Sequence, residues 1–404
     1  MSDQYHNEGK WWVSPYNFKP EVMALRSQPA KVLIHDATLR DGEQTPGVVF
    51  RKEDKVRIAK ALDAVGVDRI EAGMPAVSDE DFEAIGEITS LGLSSKIFTF
   101  ARAMNEDIDK AVACGAHGVV IEVPIGYPKL VHQFKWTWED VVRKTAPVIN
   151  YAKSKGLYAV FFPYDATRAR EEDLDAMLEA IMRESNPDSI GIVDTMGCAT
   201  PEAIAYLTRK YKDCTKLPVE IHTHNDFGMA VATELAAVGA GAEVVHSCVN
   251  GLGERTGNAA LEELIMGLDL LYGAKTGCRF EAISELCSLV EELSGIPVAR
   301  NKPVVGEGNF TRESGIGINF VMEQPLVMFA THPALTGRKG KIVLGKKSGK
   351  PSIVYMLKEL GLGGLEDAQI DAALTAVKKL GNEKRGLVSP EEFTTIVGAV
   401  RGGK

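Results

Sequence analysis

His222 and His224, two residues apart in the segment IHTHND, are the side chains of this sequence best suited to hold a metal ion. In a strand, residues two apart point to the same face, so both imidazoles are presented to one point. Two imidazoles plus a carboxylate make a recurring facial site for a divalent ion, with coordination positions left for a substrate. Asp41 is the obvious carboxylate, and Asn258 can add an amide oxygen. The competing role for the two histidines is that of hydrogen-bonded polar core groups; a lone strand-end histidine usually has it, whereas a paired HxH beside Asn225 and Asp226 favours the metal. Arg40 directly precedes Asp41, which sets a fixed cation beside the ion, where negative charge on an enolate or oxyanion would develop. Its plainer role is an Arg–Asp pair closing one end of the fold. Glu71 is a candidate acid or base, and Arg102 a candidate substrate contact. The glycines of GLGERTGNA match a phosphate-cradling loop only weakly and fit close backbone approach better. His35, His117 and His246 read as ordinary core histidines.

The elements that must position these groups form an alternation. Eight short apolar runs, 31–39, 69–74, 96–102, 118–125, 157–164, 189–196, 218–223 and 244–249, are each followed by a stretch of helical periodicity such as KEDKVRIAKALDAVG or NAALEELIMGLDLLYG. Apolar strands followed by helices indicate parallel strands buried on both faces. Eight such units in this length fit a (β/α)8 barrel of the α/β class rather than a doubly wound sheet, whose first turn would be glycine-rich where this one reads TLRDGEQTPG. Polar residues gather at the C-terminal ends of the runs: Asp36, Arg40, Asp41, Glu71, Arg102, Glu122, Asp165, Asp194, Thr195, His222 and His224. Active sites of such barrels lie at that end.

The expected layout is an N-terminal arm over 1–30, the barrel over 31–275, and a linker with a small, mainly helical region over 276–404. The last region holds the helix EAISELCSLVEELSG, a glycine-rich crossing NKPVVGEGNFTRESGIG, a basic loop LGKKSGK, and two or three short helices. The basic loop reads as a solvated charge run, and the aromatic arm WWVSPYNF is expected to pack on its own barrel.

Composition bounds the partners. The chain has 404 residues, 45% hydrophobic and 25% charged, with 46 basic and 55 acidic groups for a net charge of −9. That balance argues against nucleic-acid or anionic-membrane binding, which demands a basic footprint. There is no apolar run long enough to span a bilayer and no signal-peptide pattern at the start. Six scattered cysteines without a CxxC pair read as reduced thiols of a cytoplasmic protein.

Three segments, HDATLRDGEQTPG, HTHNDFGMAVA and NGLGERTGNAALEEL, together closely resemble the 2-isopropylmalate, homocitrate and citramalate synthases, metal-dependent TIM barrels related to 3-hydroxy-3-methylglutaryl-CoA lyase. NKPVVGEGNF…ESGIG and LGKKSGK resemble the connector of the synthase branch, so the likeness runs from about 31 to 362. The resemblance implies one divalent ion (Mg, Mn or Zn) on Asp41, His222 and His224, with Asn258 fourth. It implies that Arg40 contacts the reacting oxyanion with Gln44 beside it, that Glu71 joins the polar network of the mouth, and that Thr195 touches the carboxylate of a 2-oxo acid. The implied reaction is a Claisen-type condensation: an acyl-CoA, usually acetyl-CoA, loses an α-proton, the enolate attacks the 2-oxo acid, and hydrolysis releases a 2-hydroxy-dicarboxylate and CoA. At least a homodimer is implied, with the C-terminal region reaching the partner's barrel. The chain's length leaves no room for the further regulatory domain of many 2-isopropylmalate synthases, so feedback through one is not expected.

Three departures bear on this. The family's FSxEDATR segment is FFPYDATR here, so Phe162 and Tyr164 stand where a Ser and a Glu are usual. The usual ESGIH is ESGIG, with Gly317 replacing a proposed catalytic His, and the Tyr usually found shortly downstream is missing. Tyr164, as a catalytic group, and His332 are the candidates to compensate. Loss of the synthase His fits a carbon–carbon lyase as the alternative function, although the GERTGNA loop is synthase-like; intact Arg40, Asp41, His222, His224 and Asn258 argue against a non-catalytic homologue.

Overall fold

The apolar runs form eight parallel strands: β1 (Leu33–Asp36), β2 (Arg69–Glu71), β3 (Lys96–Arg102), β4 (Gly118–Pro124), β5 (Tyr158–Tyr164), β6 (Ser189–Asp194), β7 (Val219–Thr223) and β8 (Val244–Ser247). They pair in chain order, and β8 closes the barrel on β1 with His246 opposite His35 and Ser247 opposite Asp36. The computed structural model describes residues 4–402, the side chain of Asn319 excepted.

Each strand leads into a helix: α1 (Lys52–Val65), α2 (Asp79–Ser90), α3 (Asn105–Ala113), α4 (Trp138–Ser154), α5 (Glu171–Glu184), α6 (Pro201–Thr215), α7 (Ala230–Gly239) and α8 (Leu261–Met266). Local chemistry sets their starts. Ser78 Oγ accepts the Asp81 N–H at 3.0 Å and Thr200 Oγ1 that of Ala203 at 3.3 Å, with Pro201 opening α6. Because strand side chains alternate, Ile34, Ile70, Ile121, Ile192 and Ile221 are fully buried on the helix side, while the neighbouring positions face the barrel axis. That interior is aromatic and polar rather than aliphatic. Phe98, Phe100, Val120, Val160, Phe162 and Val193 form one cluster, with Met74 and Tyr164 packed against it; buried His35, Glu71, Glu220, His222 and His246 complete it.

By contacts the chain divides into two units, Ser14–Val298 and the residues before 14 together with those after 298. The barrel unit runs past 275 because α9 (Ile283–Ser294) packs on α1. Residues 14–30 stay with it: the Ser27 N–H reaches Gly239 O at 2.7 Å and Gln28 Nε2 reaches Tyr272 O at 2.9 Å. The tryptophans of the aromatic arm belong to the other unit, where Trp12 donates its N–H to Ala330 O at 2.8 Å and Trp11 bridges Thr331. Of the arm, residues from Ser14 onward group with the barrel, as expected, whereas backbone pairing places Trp11 and Trp12 in the other unit. That second unit contains α10 (Ile318–Glu323), α11 (Lys350–Glu359), α12 (Asp367–Lys384) and α13 (Pro390–Gly402). Its core is built on Ile353, Leu357, Ala373, Val377 and Phe393. Among the described residues no helix is long and apolar enough to cross a membrane.

Candidate active site and metal centre

The C-terminal end of β7 aims His222 and His224 at Asp41, which follows β1. His222 Nε2 lies 3.1 Å and His224 Nε2 3.7 Å from Asp41 Oδ2, all three side chains being buried. The three ligand atoms lie within 4.8 Å of one another. Burial alone would raise the pKa of Asp41, but Arg40, His222 and His224 outweigh it and hold the carboxyl well below its usual range. Burial pushes both histidines down, His224 to about 4, against the pull of Asp41. One anion and two neutral imidazoles are the donor states a divalent ion requires.

Asn258 joins this group through the loop after β8. His224 and Asn258 form a backbone bridge. The Asn258 amide donates from Nδ2 to Leu252 O at 3.2 Å, which leaves Oδ1 buried with no hydrogen-bond partner. An orphaned amide oxygen beside Asp41, His222 and His224 fits the fourth-ligand position. Gly257 makes the loop possible: at φ +83° a Cβ would lie 1.8 Å from Gly251 O. The loop glycines therefore serve backbone approach.

Arg40 is fixed on two sides. Its Nε donates to Glu71 Oε1 at 2.7 Å, Nη2 to Glu71 Oε2 at 3.4 Å and Nη1 to Asp41 Oδ2 at 3.1 Å, while the guanidinium covers Phe100 at 4.3 Å from the ring centroid. A guanidinium has five N–H groups, so one on each terminal nitrogen is left for a ligand. Burial disfavours the charge of Glu71, but Arg40 and then His35 overcome it and pull its pKa down to about 2. Glu71 is thus a fixed anion that orients Arg40.

Below this pair, His35 Nε2 meets Glu71 Oε2 at 3.2 Å, and His246 Nε2 meets Glu220 Oε2 at 3.0 Å. Glu220 also accepts from Arg69 at 2.7 Å and Ser189 Oγ at 2.6 Å. The opposed register of β1 and β8 stacks the two imidazoles, 4.2 Å apart and within 5° of parallel. Although His35, Glu220 and His246 bring ligand-type atoms together, parallel rings send their in-plane lone pairs alongside one another, not to a shared point. They are polar core groups, in line with the sequence reading.

Thr195, Tyr164, Gln44 and Arg102 follow or end strands of the barrel. Thr195 Oγ1 accepts the Asp165 N–H at 2.7 Å, which keeps its own proton free for a ligand. Tyr164 packs on the aromatic cluster; burial, then Glu122 and Asp165, push its pKa up, so the phenol stays protonated. Gln44 is exposed in the short turn of Gly42–Gln44. Arg102 is largely exposed and tied to Asp107 at 2.9 and 2.8 Å. In the other unit, Gly317 has φ +75°, and a Cβ there would meet Met328 Sδ at 3.0 Å. This backbone disfavours any side chain, the expected His included. His332 Nδ1 caps a short helix by accepting the Ala334 N–H at 3.1 Å.

One further residue of the mouth reads in the sequence only as a polar strand end. Glu122 sits on β4 between Arg102 of β3 and Phe162 of β5, on the inward face two residues beyond Val120. Among the described residues nothing makes a hydrogen bond or ion pair with its carboxylate. Burial, with Asp41 and Glu71, pushes its pKa up to about 7 against the opposing charge of Arg40. Its signal in the sequence was an acid breaking the apolar run GVVIEVPIG.

Comparison with known proteins agrees with this geometry. Residues 31–290 match the HMGL-like family and residues 304–385 the homocitrate synthase post-HMGL domain-like family. A homocitrate synthase of Methanopyrus kandleri is 41% identical over 95% of this chain and 96% of its own length. A 2-isopropylmalate synthase of Methanocaldococcus jannaschii is 41% identical over 93% of this chain and 72% of its own. A putative (R)-citramalate synthase of Archaeoglobus fulgidus is 42% identical over 91% of this chain and 75% of its own. Among solved structures, a Bacillus subtilis HMG-CoA lyase superposes with a TM-score of 0.60 at 20% identity, covering 68% of this chain and 97% of that one, a likeness of fold alone. The chain therefore belongs to the HMGL-like family, in its branch of homocitrate, 2-isopropylmalate and citramalate synthases.

Proposed function

We propose that this enzyme is an acyltransferase of that branch, joining an acyl-CoA, acetyl-CoA foremost, to a 2-oxo acid by Claisen-type condensation and releasing a 2-hydroxy-dicarboxylate and CoA. The observation that carries this reading is Arg40, locked by Glu71 against the Asp41–His222–His224 cluster with two N–H groups unspent. Asp41, His222, His224 and Asn258 would hold one divalent ion (Mg, Mn or Zn), which supplies electrophilic activation of a carbonyl. The free N–H groups of Arg40 receive the negative charge that develops on the thioester oxygen. Thr195 donates its hydroxyl to the 2-oxo acid carboxylate, and Tyr164 serves as a hydroxyl donor in the mouth. Gln44 and Arg102 keep a substrate-contact role only at its rim. A homodimer or larger oligomer, and a cytoplasmic setting consistent with six unpaired thiols, belong to the same proposal.

The test is to supply Mg2+, Mn2+ or Zn2+ with acetyl-CoA and a panel of 2-oxo acids, and to follow free thiol. Thiol release that depends on the 2-oxo acid is the expected result. Cleavage of hydroxyacyl-CoA compounds without any such release would replace the condensation with the lyase reaction.

A further inference from the structure

The condensation begins with loss of a proton from the acyl α-carbon, and the positions where family motifs carry acid–base groups are altered in this chain. Position 164 is a tyrosine whose phenol keeps its proton, position 317 is a glycine, and His332 Nδ1 is committed to a helix cap. We infer that Glu122 is the catalytic base, taking the α-proton of the acyl thioester while Arg40 receives the resulting enolate oxygen; this inference rests on the condensation reading above.

Elimination among the carboxylates of the mouth leads to it. Asp41 is held by Arg40 and His222, and Glu71 by Arg40 and His35. Asp165 is chelated by Arg168 at 2.8 and 2.7 Å, and Asp226 by Arg255 at 2.9 and 3.0 Å. Asp194 accepts from Thr167 Oγ1 at 2.7 Å and the Ala199 N–H at 3.1 Å. A carboxylate whose lone pairs are spent is a poor proton acceptor. Glu122 alone of these has no hydrogen-bond partner among the described residues, and its place on β4 faces it inward at the level of Phe162.

The charges facing Glu122 suit the task. Arg40 and Asp41 reach it from the loop after β1, Glu71 from β2, Lys129 from beyond β4, and Tyr164 from β5. Burial, with Asp41 and Glu71, pushes its pKa up to about 7 against Arg40 and Lys129, and a base near the working pH is the most effective one. In the step itself the α-C–H bond breaks and its proton goes to a Glu122 carboxylate oxygen. The electron pair forms the enolate double bond, and the negative charge moves to the thioester oxygen opposite the free N–H groups of Arg40.

Glu122→Gln decides the matter. With Mn2+, acetyl-CoA and the best 2-oxo acid, kcat is expected to fall by about 10²–10⁴-fold. KM for the 2-oxo acid should stay within about threefold and thermal stabilisation by Mn2+ should persist, because binding and metal do not depend on the carboxylate. A kcat within tenfold of the parent enzyme, or a loss confined to KM, overturns the assignment. If Glu122→Gln does not fold, Glu122→Asp takes its place: a kcat loss of roughly 10–100-fold at constant KM supports the base, and an unchanged kcat overturns it. Absence of thiol release from the parent enzyme itself sinks the condensation and this inference together, whereas an active parent with an equally active Glu122→Gln sinks the inference alone.

Discussion

The ring of Phe162 on β5 fills the space that a side chain on Gly191 of β6 would take: a Cβ on Gly191 would lie 2.5 Å from Phe162 Cδ2. The same ring stacks on His246 at 5.6 Å and meets His222 edge-on at 5.5 Å. A phenyl ring where the family motif carries a serine is therefore accommodated by a missing side chain on the next strand, and it braces a candidate metal ligand from beneath.

Gly191→Ala should accordingly destabilise the barrel by about 1–3 kcal/mol, the usual cost of overpacking a filled core. Urea unfolding of parent and variant measures it. An unchanged midpoint would show that the Phe162 ring can move aside.

Metal binding should stabilise the fold through Asp41, His222, His224 and Asn258. At a Mn2+ concentration one hundred times its dissociation constant the gain is about 2.7 kcal/mol. Thermal melts with and without Mn2+ read this, and His222→Ala should lose both the shift and the catalytic activity. Full activity in the variant, or after exhaustive chelation, is the outcome that refutes the metal centre.

Arg40→Lys keeps a positive charge but loses the fork that grips Glu71 at one edge and leaves N–H groups over at the other. Thiol release should drop by roughly 10²–10³-fold, the scale of losing an oxyanion donor. The Mn2+-induced melting shift should survive. A variant that turns over normally would remove Arg40 from the chemistry.

Acid should remove the contributions of two buried groups from the metal-free protein in sequence, while Glu122 and Asp36, raised by burial to about 7 and about 6, are relieved of their charge over the same range. Burial and His35 lower the His246 pKa from 6.5 to about 4. The unfolded chain thus binds this proton first, and stability present above pH 6.5 is lost as the pH falls through 4. Roughly 3 kcal/mol rides on that group. Glu71, drawn down from 4.5 to about 2, adds a further loss as the pH falls from 4.5 through 2. Denaturant midpoints of the parent and of a His246→Gln variant across this range isolate the His246 share; a parent–variant difference that stays constant from pH 7 to 4 contradicts it.

Gly317→His restores the family's residue type but not its backbone. At φ +75° the new side chain costs on the order of 1–2 kcal/mol and is met by Met328. Lower stability without a gain in kcat is expected, measured by melting temperature and thiol release. A gain in turnover would reopen position 317 as a site for the base.

Much of this architecture is legible in the sequence. Buried parallel strands write themselves as continuous apolar runs, so all eight are visible in the sequence, and the HxH spacing alone puts His222 and His224 on one face. Glu122 and the stacked histidines were harder. Their meaning depends on which residues oppose one another across strand pairs, and that register is fixed only on closing the barrel: His35 meets His246 across 211 residues of chain because β8 returns to β1. The split of the aromatic arm was hidden for a similar reason. Trp11 and Trp12 are held by Ala330 and Thr331, through backbone bonds that leave no mark in residue type.

The stacked imidazoles have a consequence for how such an enzyme diversifies. Arg40–Glu71–His35 and Arg69–Glu220–His246 are two matching Arg–Glu–His sets that meet face to face at the barrel axis. Replacing any one member strands a buried partner, at a cost of several kcal/mol, so viable descendants would have to change these six positions in concert. Met74, partly accessible beside the aromatic cluster and free of such pairing, is open to single replacement. Substrate preference can therefore drift one residue at a time while the axis is inherited as a block.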